Sequence, residues 1–263
     1  TNTYSVGVAH DAVRQWAQKN LKKASVNADD PAALPVVGET WDGLLNDING
    51  FHVKREHVYE ALEKTSRGPV AEGAVGGGTG MVCFEFKCGI GTSSRKVRIG
   101  SNDYVLGVIV QANFGRRSEL KIGGAAVGRK LTDLMPEEAK AKLAGDKDGS
   151  ILIVIATDAP LLPHQLKRLA RRASLGLART GSIAHHSSGD LFLAFSTAVP
   201  KASKTGIESW ESVANEEMDG LFHATVQATE ESIFNALVAG ETMTGARGAK
   251  VHGFPRDRIK GLF

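Results

Sequence analysis

The feature that most constrains this chain is the run Ser150-Ile-Leu-Ile-Val-Ile-Ala156, entered directly from the polar stretch Asp146-Lys-Asp-Gly149. Six apolar residues in a row, most of them β-branched, read as a strand buried on both faces. Such a strand needs layers on either side of it. Tyr104 to Ala112 and Leu191 to Thr197 have the same character, and Val82 to Phe86 and Lys96 to Ile99 are shorter extended candidates. Helical spacing of three and four residues appears over His10 to Ala24, near His57 to Lys64, over Leu162 to Arg179 and over His223 to Ala239. Val6 to Ala9 reads as a strand. Leu131 to Gly145 reads as a helix and linker, with Pro136 early and Glu137 and Glu138 in its first turn.

Strands and helices come in clusters and not in strict alternation, which predicts a layered α+β fold, an α/β/β/α sandwich. Residues 1–263 are expected to form a single domain. The loop at Gly145 to Gly149 reads as a processing site, because the strand beyond it cannot be buried alone. The chain has 42% hydrophobic and 23% charged residues, which excludes disorder. A net charge of +3 gives no reason to expect nucleic acid or a membrane surface as partner. No apolar run approaches the ~18 residues that cross a bilayer. Cys83 and Cys88 lie five apart, an odd spacing that puts them on opposite faces of a strand, so no bridge is expected between them. The few cysteines leave cytoplasm and periplasm both open.

Ser150 has two readings. Locally it is a serine that begins a strand. Chemically it is placed to attack the Gly149 carbonyl, pass through an ester and emerge as a new chain start, whose α-amine (reference pKa about 7.7 to 8.0) can act as base for its own hydroxyl. Glycine at 149 leaves that carbonyl accessible and tolerates strain. Ser187-Ser188-Gly189-Asp190 reads as a polar turn, yet Ser188 and Asp190 share parity and could face a nucleophile on a neighbouring strand. Gly76-Gly-Gly-Thr-Gly80 lacks the Lys-Ser/Thr of a phosphate loop and reads as a turn beside the site. His185-His186 has no third ligand at zinc spacing, so no metal is expected. Lys167, Arg168, Arg171 and Arg172 form a basic helical face suited to solvent or a subunit contact.

The runs Gly149 to Gln165, Leu177-Ala-Arg-Thr-Gly181 and His186 to Ser196 resemble the DmpA-type aminopeptidases, the L-aminopeptidase/D-esterases and β-peptidyl aminopeptidases. Thr1 to Gly7, Leu34 to Thr40, Asn46 to His52, Gly76 to Gly80 and Val110 to Arg117 agree as well. The resemblance implies an Ntn-hydrolase-like sandwich, self-processed into residues 1–149 and 150–263, with no cofactor. It implies Ser150 as nucleophile, Ser188 and Asp190 as the pair that polarises it, Asn113 as oxyanion donor and Glu39 as the acid that binds the substrate's free ammonium. Trp41 stands where some relatives have tyrosine, which leans toward the β-peptidyl branch. Short peptides, amides or esters with a free N-terminus would be the substrates, and a homo-oligomer of processed heterodimers the assembly. Relatives usually carry a further stretch ahead of the segment like Thr1, so the chain is expected to be a fragment or a shortened relative. Two other readings stand beside this one: a conventional Ser/His/Asp hydrolase using Ser188 with His186 or His164, and an unprocessed scaffold or binding protein.

Overall fold

The computed structural model describes residues 1–21, 34–137, 149–198 and 209–263. Its regular elements are α1 (Val6–Asn20), α2 (Arg55–Glu63), β1 (Val82–Cys83), β2 (Phe86–Lys87), β3 (Ile90–Ile99), β4 (Asn102–Asn113), β5 (Ser150–Thr157), α3 (Pro163–Arg179), β6 (Leu191–Ser196), α4 (Asp219–Ala239), β7 (Met243–Thr244) and β8 (Lys250–Val251). The four longest strands form one sheet in the order β3-β4-β5-β6. β3, β4 and β5 run antiparallel in turn, whereas β5 and β6 are parallel and joined through α3.

Alternation decides which face is covered. Leu106, Val108, Val110 and Ala112 of β4 and Ile151, Ile153 and Ile155 of β5 are buried against Leu169, Ala173 and Leu177 of α3 and Ala228, Ile233 and Ala236 of α4. Small residues allow close approach: a Cβ on Gly91 of β3 would lie 1.9 Å from the Ser232 carbonyl oxygen of α4, and one on Gly176 of α3 would lie 2.6 Å from the Val226 carbonyl oxygen. The opposite face carries Ile109, Val154 and Leu193 in one register row and Ala156 and Phe195 in the next. A sheet that is apolar on both faces is what a sandwich requires.

Several expectations are corrected. Val6 to Ala9 is the first turn of α1, because Ala9, Ala12 and Ala17 form one buried helical stripe. Residues 131–137 hold no helix, and the rest of that proposed element lies outside the described residues. The Leu131 and Leu134 carbonyls instead accept from the buried Arg117 guanidinium at 2.5 and 2.9 Å. Val82 to Phe86 is no single strand: Phe84 and Glu85 take positive φ of 50° and 60° and reverse the chain between β1 and β2. The reversal cancels the strand parity that separated the cysteines, and Cys83 and Cys88 form a disulfide with their Cα atoms 5.4 Å apart. Part of the basic face on α3 packs inward, with the Arg168 and Arg172 guanidinium carbons 5.0 and 3.8 Å from the Phe222 ring centre.

Candidate active site

The site forms where three chain ends meet: the last residue of β4, the first of β5 and the turn that enters β6. Asn113 and Ser150 are directly opposed in the β4/β5 register. β6 starts beside Leu152, so the turn ahead of it, Ser188-Gly189-Asp190, overhangs the head of β5. Gly189 N–H donates to Ser150 Oγ at 2.9 Å. Asp190 Oδ1 accepts from Ile151 N–H at 3.1 Å, which pins the turn to the strand just past Ser150. The one Ser188 hydroxyl proton serves either of two acceptors, the Gly149 carbonyl oxygen at 2.9 Å or Asp190 Oδ1 at 2.7 Å. Ser188 thus touches the carbonyl of the very peptide bond that Ser150 follows.

Asn113 is buried and anchored at both ends of its carboxamide. Its Oδ1 accepts from Val82 N–H at 2.9 Å and its Nδ2 donates to the Trp41 carbonyl at 2.8 Å. An amide nitrogen carries two hydrogens and the Trp41 carbonyl takes one of them, while Ser150 faces the residue across the β4/β5 pair. Gly149 is close: a Cβ built on it would lie 3.2 Å from Asn113 Nδ2 and 1.6 Å from the Asn113 carbonyl oxygen. Gly149 does not have a positive φ. Glycine is required there by backbone contact and not by the left-handed conformation.

Trp41 is 39% exposed, and its ring lies over Gly43, where a Cβ would be 2.5 Å from a ring carbon. Glu39 sits further along the same segment, where its Oε2 accepts from Thr3 Oγ1 at 2.5 Å. Between them Thr40 is buried and takes a 2.6 Å bond from the Gln111 amide, two residues before Asn113 on the same face of β4. The Gly76–Gly78 turn packs on that glutamine, since a Cβ on Gly77 would lie 2.0 Å from Gln111 Oε1. Ser150, Ser188, Asp190, Gly149 and Asn113 are therefore in mutual contact, and Trp41 joins them through its backbone. Glu39 is held by Thr3 and, among the described residues, makes no hydrogen bond to that group.

A buried cation holds the glycine turn from beneath. Lys87 Nζ donates to the Gly78 carbonyl at 3.1 Å, the Met81 carbonyl at 3.2 Å and the Cys88 carbonyl at 2.5 Å. Burial pushes its pKa down to about 8 from 10.5. Between those two values the unfolded chain holds the proton and the folded one does not, so this group makes stability rise with pH across that window. Wild type should therefore gain on Lys87→Met by on the order of 1 kcal/mol per pH unit there. Urea unfolding of both proteins at pH 8 and pH 10 checks the sign, and a wild type that loses stability relative to the variant as pH rises contradicts it.

The model of peptidase family S58 matches residues 1–251. The chain belongs to peptidase family S58. The beta-peptidyl aminopeptidase BapA of Sphingosinicella microcystinivorans is 47% identical over 272 aligned positions, covering 100% of this chain and 67% of that protein. The Sphingosinicella xenopeptidilytica BapA is also 47% identical, and the match covers 66% of it, so this chain spans about two thirds of the length of these relatives. The L-aminopeptidase D-Ala-esterase/amidase of Ochrobactrum anthropi, described as a variant among the Ntn hydrolase fold, superposes with a TM-score of 0.90 at 41% identity, over 99% of this chain and 71% of that one. A Burkholderia sp. beta-aminopeptidase gives a TM-score of 0.86 at 44% identity, over 100% of this chain and 71% of that one. S58 membership and these neighbours bear out the α+β, Ntn-hydrolase-like fold and support a serine aminopeptidase of the N-terminal-nucleophile type. They do not favour the conventional triad, and the Ser188 hydroxyl meets Gly149 and Asp190.

Two features of the site were missed in the sequence. The Gly189 N–H on Ser150 Oγ and the Gly149 contact with the Asn113 backbone are both main-chain contacts, invisible until the β4/β5 register is known. The described helices include none long and apolar enough to cross a membrane.

Proposed function

We propose that this chain is a self-processing aminopeptidase that removes N-terminal residues from short peptides, amides and esters through an acyl-enzyme on Ser150. The observation that carries the reading is the Ser188 hydroxyl on the Gly149 carbonyl oxygen, with Ser150 Oγ held by Gly189 N–H beside it. Ser150 Oγ adds to the Gly149 carbonyl carbon, the Gly149–Ser150 C–N bond breaks, and the hydroxyl proton passes to the departing nitrogen. Water then hydrolyses the ester, leaving a Gly149 carboxylate and a free Ser150 amine, which divides the chain into 1–149 and 150–263.

In turnover the Ser150 amine takes the proton from its own hydroxyl, the oxygen attacks the substrate's first carbonyl, and the leaving amine receives that proton. Asn113 donates to the oxyanion, Asp190 and Ser188 orient the amine and hydroxyl, and Trp41 forms an apolar wall. Glu39 pairs with the substrate ammonium, a charge-assisted contact that an internal residue cannot make. The bond between Thr3 and Glu39 would have to open or be shared for this. The BapA relatives are named beta-peptidyl aminopeptidases and the Ochrobactrum neighbour an L-aminopeptidase D-Ala-esterase/amidase. β-Homoamino-acid and L-amino-acid p-nitroanilides compared side by side assign the preference.

Intact mass and a denaturing gel test the cut: two fragments meeting at Gly149/Ser150 are expected, and one uncut species in an active sample overturns the reading. Gly149→Ala should leave the chain largely uncut, because its Cβ would collide with the Asn113 carbonyl oxygen at 1.6 Å. Normal processing of that variant in the same gel argues against the backbone contact as the constraint. Glu39→Gln should raise KM with kcat little changed, and N-acetylated substrates should not be cleaved. The disulfide favours an oxidising compartment, so of cytoplasm and periplasm the periplasm is the reading supported. Light scattering of the processed protein tests the homo-oligomer.

A further inference from the structure

The pair His185-His186 stands in the sequence without a role in the chemistry above. His185 Nε2 lies 2.9 Å from Glu119 Oε2, and the two side chains are only 15% and 22% exposed. Sixty-six positions separate them in the chain. Glu119 closes a short turn that leaves β4 just beyond Asn113, whereas His185 opens the turn that ends in Ser188. That second turn is closed by Ser188 N–H donating to the His185 carbonyl at 2.8 Å. It is also strained on its entry side. Ala184 has a φ of 50°, a conformation that costs a residue with a Cβ on the order of 1 kcal/mol or more and persists only where surroundings enforce it. Gly181, at φ 105°, is pressed against the Glu119 carbonyl, where a Cβ would sit at 1.8 Å.

We propose that His185 is a positioning residue: its imidazole, tied to Glu119, sets the turn that holds the Ser188 hydroxyl on the scissile carbonyl and beside Asp190. The inference rests on the function proposed above. The reach of Ser188 depends on where this turn sits, and a displacement of about 1 Å at a reacting group costs up to 100-fold. The segment on the far side of Ser188 is fixed to β5 by Asp190. On the near side, the His185 and Glu119 pair ties this turn to the end of β4.

The test uses His185→Ala, His185→Gln, Glu119→Gln and the double variant His185→Ala/Glu119→Gln, with two readouts: the fraction cut at Gly149/Ser150 and steady-state kinetics on a p-nitroanilide. His185→Ala should lower kcat by on the order of 10-fold at unchanged KM and leave more chain uncut. Glutamine can still donate to the Glu119 carboxylate, so His185→Gln should recover most of both losses. The double variant should be no worse than His185→Ala, since both changes break one contact. Wild-type kcat and cutting in His185→Ala overturn the proposal, as does a glutamine variant no better than alanine, which would make the imidazole itself the reacting base. If His185→Ala does not fold, the Gln variant against Glu119→Gln decides in the same way. Ser150→Ala separates the two layers of argument. If it still processes itself, the proposed function fails; if it does not and His185→Ala matches wild type, the positioning role alone fails.

Discussion

Ser150→Ala is expected to run as one uncut chain of 263 residues and to show no turnover above background. Removing the hydroxyl removes the nucleophile of both reactions at once. The loss should be at least on the order of 10⁴-fold, the size seen when a serine nucleophile is deleted from an otherwise intact site. Fold stability should scarcely move, because among the described residues the hydroxyl loses its bond from Gly189 N–H while the β4/β5 ladder is kept. Circular dichroism and thermal melting against wild type check that the loss is chemical. Ser150→Cys is the informative companion. It keeps a nucleophile of the same reach, so partial self-cleavage is expected, and a cut alanine variant would show that the scission is external proteolysis.

The parts of the fold legible in the sequence are those carried by side-chain periodicity. β4, β5, β6 and α3 fall within a few residues of their expected ranges, because each has a run of apolar residues at a spacing that only one element satisfies. Parity placed Ser188 and Asp190 on one face, and the structure has both on one acceptor network. What stayed hidden was reversal without a reversal signal. The hairpin at Phe84 and Glu85 uses two bulky residues at positive φ where Asn or Gly would have announced a turn. The Phe84 carbonyl accepts from Arg117 Nε at 2.9 Å and the Glu85 carbonyl from Arg117 at 2.8 Å, so the turn is held by a residue 33 and 32 positions away. The Cys83 and Cys88 bridge followed that hidden turn. Likewise the apolar Val6 to Ala9 segment satisfies either period by itself, and only its alignment with Ala12 and Ala17 favours the helix.

Asn113→Ala is expected to lower kcat by on the order of 10² to 10³, the usual consequence of losing one preorganised oxyanion donor. The amide does more than donate to an oxyanion, and this separates it from a simple catalytic deletion. With the carboxamide gone, the Val82 N–H and the Trp41 carbonyl both lose their partner. Both groups are part-buried, so each costs up to about 1 kcal/mol when left unsatisfied, and the alanine variant should also melt earlier and hold the Trp41 segment less firmly. Asn113→Asp sorts the two effects. A carboxylate oxygen can still accept from Val82 N–H, yet it cannot donate to Trp41 and it repels a developing oxyanion. Aspartate should therefore cost as much kcat as alanine or more. Its self-cleavage should fall in parallel, because the same nitrogen lies against Gly149 in the uncut chain, 3.2 Å from where a Cβ on that residue would sit. A variant at 113 that loses turnover but cuts itself at the wild-type rate would assign the oxyanion of the first reaction to Ser188 alone, whose hydroxyl already donates to that carbonyl.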